Sequence, residues 1–325
     1  MIRTRILPSL AAAAALAVSL AACGSSTGSS TGATSSGAAA TPDNVKVGVI
    51  PIVDVAPIYL GKAQGFFTKY NINLTMALAQ GGAAIVPGVV SGQYQFGFSN
   101  VVSLLLGESQ QVPIKAVANG VNSTGDPAKD FGELIVKDPN IKTAKDLAGK
   151  TVATNTLKNI VDTSVKYMVS KAGGDPATVK FVELGFPDMA AALSAGRVQG
   201  IFVVEPFLSA ALAKGWHPVG SFADVDPNLC ISVYFTSTQL EQQKPDLVKR
   251  FTEAMNESLA YADSHPDAVQ QIVTTYTQIP AAAAAKMTLP KWPTTIDKAS
   301  IDKLGQLLVT DGLLTAAPDT TKLLP

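Results

Sequence analysis

Residues 91–100 read SGQYQFGFSN, and 104 positions later residues 195–207 read AGRVQGIFVVEPF. Gly92 aligns with Gly196, Gln95 with Gln199 and Phe98 with Phe202, all in one register. Each copy follows an Ala/Val-rich segment of helical pattern, turns at a glycine and runs into an apolar strand. A chain that writes helix, Gly turn, Gln and strand twice builds two similar lobes. Two similar lobes in one chain leave a groove between them.

The N-terminus says where such a chain works. MIRTRILPSLAAAAALAVSLAAC carries Arg3 and Arg5, then an apolar stretch interrupted only by Pro8, Ser9 and Ser19, then small residues before Cys23. A charged start, a short apolar middle and an A-x-A-like end describe an export signal, too short in its apolar part for a good spanning helix. Leu20-Ala21-Ala22-Cys23 resembles the bacterial lipobox, in which the cysteine thiol is lipidated and becomes the first residue. A cleaved soluble leader that happens to contain a cysteine is the other reading. The chain has 2 cysteines, so lipidating Cys23 leaves Cys230 unpaired. Cys230 lies in the apolar run NLCISVYF, where a small buried hydrophobe fits. A diacylglycerol on Cys23 would hold the protein firmly, since two acyl chains suffice where one is marginal. Residues 24–41 contain no charge and no large apolar side chain. They form a flexible tether with a span of roughly 20–25 Å.

Removing residues 1–22 leaves 23 basic residues against 25 acidic, a net charge of −2. That balance offers no electrostatic footprint for nucleic acid. With 325 residues, 47% apolar and 15% charged, the chain has enough material for one large domain or two ordinary ones.

The folded part alternates strands and helices. VKVGVI (45–50), NINLTMAL, YQFGFS and PIKAVA read as strands. APIYLGKAQGFF (56–67), GGAAIVPGVVSG and VVSLLLGES read as the helices between them. The pattern restarts with GELIVK, a short helix leading into TVAT, a helix over NIVDTSVKYMVSKAG, then TVKFVEL, DMAAALSAG, QGIFVVE and a helix over 207–214. Strands separated by helix-sized segments indicate right-handed crossovers and a parallel sheet. Beyond about Lys244 the chain reads as mostly helical.

APIYLGKAQGFFTKYNINLTMALAQGG, SGQYQFGFSN, DLAGKTVAT and LSAGRVQGIFVVEPF match, in order, landmarks of the bacterial solute-binding proteins for nitrate, sulfonates, taurine and pyrimidine precursors of thiamine. The chain resembles that family over roughly residues 45–222. It departs from it in carrying Gln95 and Gln199 where Asp is common, and in placing Pro87 inside the first short helix. The resemblance implies an α/β, two-lobed clamp of the type II periplasmic-binding-protein fold. Each lobe would be a mostly parallel sheet flanked by helices, with a helical C-terminal tail. The implied organisation is a leader at 1–22, a lipidated cysteine and tether at 23–43, lobe 1 from 44–130 plus 226–325, and lobe 2 from 131–225.

Ligands in open α/β sheets bind outside the carboxyl ends of the strands. That rule selects Asp54 after the first strand. It selects Gly81, Gly82 and Ala83 after the second, where backbone N–H groups open a helix, and Ser99 and Asn100 after the third. In lobe 2 it selects Thr154, Asn155 and Thr156, with Asn159 nearby, and Glu205. Each has a plainer account: a tight turn for the glycines, helix capping for Ser99 and Asn155, a salt bridge or exposure for Asp54, and lobe geometry for Glu205. If Asp54 and Glu205 both face the cleft, the solute carries an amine or ring N–H, as taurine or an aminopyrimidine does. If neither does, a small anion such as an alkyl sulfonate or carboxylate fits.

Enzyme motifs are scarce. Each GSSTG in the tether satisfies G-x-S-x-G, but a flexible tether supplies no strained strand-to-helix turn for the serine. AGKT (148–151) lacks the glycine that a phosphate loop needs, since position 144 is Ala144. His217 and His265 are the only histidines, and no Cys/His spacing suits zinc. The expectation is a monomeric solute-binding component of an ABC importer, without metal or cofactor. Its lipid anchor holds it on the outer face of the membrane, where it delivers a small-molecule solute to the permease transmembrane subunits. An anchored enzyme of the same architecture, acting on a pyrimidine-like small molecule, is the alternative. A sensor that presents bound solute to a receptor is a third.

Overall fold

The computed structural model describes residues 41–325. The leader, Cys23 and the tether up to residue 40 lie outside the described residues. Ten strands are present among the described residues: β1 (Asp43–Val49), β2 (Ile72–Leu78), β3 (Phe96–Asn100), β4 (Ile114–Asn122), β5 (Gly132–Val136), β6 (Thr151–Thr154), β7 (Lys180–Glu183), β8 (Gly200–Val204), β9 (His217–Ser221) and β10 (Cys230–Ser237). They form two five-stranded sheets, ordered β2-β1-β3-β10-β4 and β7-β6-β8-β5-β9. The two orders are the same topology. Within each, the first three strands run parallel and one antiparallel strand, β10 or β5, enters between the third and the last. The sheets are therefore mostly parallel.

The duplicated glutamine explains itself at atomic level. Gln95 Oε1 accepts the Lys46 amide N–H at 2.9 Å while its Nε2 donates to the Gly92 carbonyl at 3.3 Å. Gln199 repeats both bonds, accepting from Thr151 N at 3.1 Å and donating to the Gly196 carbonyl at 3.4 Å. In each lobe the side chain ties the turn before β3 or β8 to the adjacent parallel strand, β1 or β6. Gly92 and Gly196 sit at φ 76° and 71°, a left-handed turn that glycine adopts without a Cβ penalty. A carboxylate could only accept, so Gln at these positions adds the donated bond to the glycine carbonyl.

The segment 56–67 reads as one helix in the sequence but divides into Ala56–Ala63 and Phe66–Lys69 at Gly65, whose φ of 79° cannot continue a helix. Pro87 is accommodated inside Gly82–Val90. The long tail helix Pro245–Ser264 covers the first sheet, with Phe251 stacked on Phe96 at a centroid distance of 3.7 Å. Its Arg250 bonds the Asp43 carboxylate at 2.6 Å and the Tyr70 carbonyl at 2.9 Å, pinning the first strand where it enters the sheet. Cys230 is fully buried in β10, and burial pushes its thiol far above the usual range. Among the described residues no helix is long and apolar enough to cross a membrane.

The chain passes from the first sheet to the second between β4 and β5, and back between β9 and β10. Asp130 joins the two passages. Its Oδ1 accepts from Thr124 N at 3.0 Å and Phe131 N at 2.9 Å; its Oδ2 accepts from Ser123 Oγ at 2.9 Å and Ala223 N at 2.8 Å. The residue is 1% exposed. Removing the carboxylate leaves two buried backbone N–H groups and a part-buried one without an acceptor, and a charged acceptor is worth more than a neutral one. Asp130→Ala is expected to lower stability by about 3–5 kcal/mol, read as a drop in the urea midpoint at an unchanged slope.

Candidate functional site

The carboxyl ends of the two sheets face each other, so the loops that follow β1, β2 and β3 meet those that follow β6, β7 and β8. An inner chamber of about 40 Å³ lies between them. Its walls include Asp54, Asn100 and Ser232 from the first lobe and Asn155, Phe186 and Phe222 from the second. A neighbouring outer chamber of about 260 Å³ shares Ile50, Ile52 and Phe186 with it and adds Leu78, Pro187 and Phe207.

Asp54 occupies the single turn Val53–Val55 and is 2% exposed. Its Oδ1 has no hydrogen-bond partner among the described residues. Its backbone carbonyl accepts from Trp292 Nε1 at 3.1 Å, which fixes the turn against the tail. Burial pushes the carboxyl up to about 7, with a smaller contribution from the charge of Asp130. The expectation of a salt bridge or surface exposure for Asp54 is thereby corrected: it is buried, and no ion pair involves it among the described residues.

Gly81 precedes the helix Gly82–Val90 and lies directly against the second lobe. A Cβ there would come 2.2 Å from Thr156 Oγ1 and 3.4 Å from Asn155 Nδ2. Gly82 packs on β3, where a Cβ would come 2.7 Å from the Ser99 Cα. Close approach, rather than turn geometry alone, explains this glycine pair. Ala83 is exposed on the helix surface.

Capping falls on different residues from those expected. Asn100, not Ser99, caps Val101–Ser109, accepting from Ser103 N at 2.9 Å, while the fully buried Ser99 donates to the Asn100 carbonyl at 3.2 Å. Asn159, not Asn155, caps Ile160–Lys171, accepting from Val161 N at 2.9 Å. Asn159 Nδ2 donates to Asn155 Oδ1 at 3.1 Å, and Thr154 Oγ1 donates to the Thr156 carbonyl at 3.0 Å. Thr154 and Asn159 thus brace the loop that presents Asn155 and Thr156 to Gly81. In each lobe the cap is the later polar residue: in the first the strand runs one position further, to Asn100, and in the second a bend over 155–159 separates β6 from its helix.

Glu205 is 1% exposed, and both its oxygens are engaged by the protein. Oε1 accepts from Ser209 Oγ at 2.8 Å and from Thr288 N at 3.1 Å; Oε2 accepts from Ser209 N at 3.0 Å. Its backbone carbonyl accepts from Val53 N at 3.0 Å, one residue before Asp54. It joins the second lobe to the tail and to the Asp54 turn, and it does not line either chamber.

The polar search overlooked the apolar walls. Phe186 and Phe207 stack with centroids 5.6 Å apart and planes 15° from parallel. They follow β7 and β8, so the strand-end rule reaches them once it is applied to apolar residues too. Asp130 gave no signal in its own stretch DPAKDFGEL. Tyr59 is half-buried and stacks on Tyr276 at 3.9 Å, which makes it part of the packing between helices.

Two duplicated α/β lobes facing each other across a cleft, each closed by an antiparallel strand from beyond the crossover, define the two-lobed periplasmic-binding class of fold. A family model described as NMT1/THI5 like matches residues 52–269, and the chain belongs to that family. The fold is similar to that of the ligand binding component of an ABC-type import system from Staphylococcus aureus, a structure with zinc bound. The TM-score is 0.75 and the identity 17%, covering 87% of this chain and 96% of that one. In sequence the chain is 26% identical over 185 residues to the nitrate import ATP-binding protein NrtC of Synechocystis, covering 53% of this chain. It is 33% identical over 102 residues to a 2'-hydroxybiphenyl-2-sulfinate desulfinase of Rhodococcus erythropolis, covering 30% of this chain. Each match spans 28% of the length of the curated relative.

The raised carboxyl of Asp54 sets a pH dependence. Its folded value lies above its ordinary 3.8, so the native state binds the proton more tightly than the unfolded chain does. The contribution favours the native state at low pH and is lost as pH rises through about 7. Asp54→Asn is expected to gain about 2–3 kcal/mol relative to the wild type between pH ~5 and pH ~8, measured by paired urea titrations across that range.

Proposed function

We propose that this protein is the extracytoplasmic solute-binding component of an ABC importer. The observation that carries the reading is the convergence of both sets of strand-end loops on one cleft, with Gly81 of the first lobe in contact range of Thr156 and Asn155 of the second. A site assembled half from each lobe favours the closed arrangement only when a solute touches both halves. The importer then reads the closed shape. The leader and Cys23 support export and a diacylglycerol anchor on the outer face of the membrane, from which a monomer would deliver its solute to the permease. The similarity to the Staphylococcus aureus import component supports the same reading. An anchored enzyme of the same architecture is the second reading, favoured by the identity shared with the desulfinase.

Closure and turnover separate the two. Under the binder reading a solute raises the melting temperature, contracts the protein in small-angle scattering and is recovered unchanged; an altered solute would establish the enzyme. Gly81→Val puts a branched side chain where only 2.2 Å separates a Cβ from Thr156 Oγ1. It is expected to hold the lobes apart and to weaken binding about tenfold or more, a loss of roughly 1.4 kcal/mol.

A further inference from the structure

The chemistry of the two chambers narrows the solute, given the clamp reading above. The inner chamber, at about 40 Å³, has room for one water-sized group, whose share of liquid volume is about 30 Å³. The outer chamber, at about 260 Å³, takes a ring-sized body, and Gln80 is the one polar side chain on its wall among the described residues. Among the described residues no Lys or Arg lines either chamber. Among the described residues the only ionisable side chain on the inner wall is Asp54, with an unpartnered oxygen and 2% exposure. A carboxylate in such a place has to acquire a counter-charge or stay protonated.

We infer that the cleft is built for a small organic cation: an amine or amidine nitrogen enters the inner chamber and donates to Asp54 Oδ1, and its apolar body lies in the outer chamber between Leu78 and the stacked pair Phe186 and Phe207. Asn100 and Asn155 flank the nitrogen with amide groups. Leu78, an exposed apolar residue on the outer wall, is covered by the body of the solute. The other titratable groups near Asp54 are Asp130 and the phenols of Tyr234 and Tyr276, both pushed upward chiefly by burial and hence neutral. None supplies a positive charge. A bare anion such as nitrate would meet an acid in the inner chamber and apolar walls in the outer one.

Binding a cation ionises Asp54, so each binding event releases a proton below about pH 7 and affinity rises with pH to a plateau near that value. Titration calorimetry on the mature chain, with benzylamine and benzamidine as probes and nitrate, methanesulfonate and benzoate beside them, tests this. The expected result is saturable binding of a cationic probe with that pH slope. Asp54→Asn weakens it about 10- to 100-fold and flattens the slope, while Phe207→Ala weakens it and keeps the slope. Failure of both cations to bind at millimolar concentration, or equal binding to Asp54→Asn, overturns the inference. If an anion binds and contracts the protein while the cations do not, the inference falls and the clamp stands. If no solute contracts the protein, or a probe returns altered, the clamp falls with it.

Discussion

Four hydrogen bonds to one buried carboxylate hold the two lobes of this protein to a common axis. Asp130 receives donors from the outgoing passage on one side and, through Ala223, from the returning passage on the other. Because all four donors point at a group a few ångströms across, the two passages cannot separate without exposing unmet N–H groups. The Asp54 turn, its tie to the Glu205 carbonyl and the meeting of Gly81 with Thr156 are geometries of two bodies joined at that carboxylate.

Glu205 is the second such group, and together the two define a division of labour among buried acids. Asp130 and Glu205 have their oxygens taken up by the protein and act on structure. Asp54 has an oxygen that the described residues leave unmet, on the wall of the inner chamber. Glu133, 4% exposed and pushed up to about 7 mainly by burial, sits among the charges of Asp130, Glu205 and Asp224. Burial first, and the neighbouring acids second, let the Glu133 carboxyl keep its proton to a higher pH than an exposed glutamate does.

Much of the fold was legible because it is written in periodicity. The duplicated Gly-x-x-Gln unit announced two lobes, and the Gln95 and Gln199 bonds show why it was copied whole. Strand ends located Asp54, Asn100 and Asn155 at the inner chamber and Gly81 at the contact with Thr156, since a parallel sheet leaves its loops on one edge. Which polar residue in a loop caps a helix was not legible: the apolar pattern blurs at strand ends, and a shift of one position moves the cap from Ser99 to Asn100. Asp130 was silent because three of its four partners are backbone groups, one of them Ala223 93 residues away, and backbone N–H groups carry no sequence signature. Phe186 and Phe207 were passed over because an aromatic residue at a strand end looks like core.

The antiparallel strand has a consequence for how the molecule is made. β4 joins the first sheet only through β10, which begins at Cys230. Until the second lobe has been synthesised and the chain has returned, the first lobe lacks a central strand and β4 has no partner. The covering helix Pro245–Ser264 comes later still. Contacts of such long sequence separation form slowly, since the loop between them must be ordered before any contact rewards it. The first lobe therefore completes itself last, leaving the nascent chain without a finished sheet in its N-terminal half until its own C-terminal strand and helix arrive.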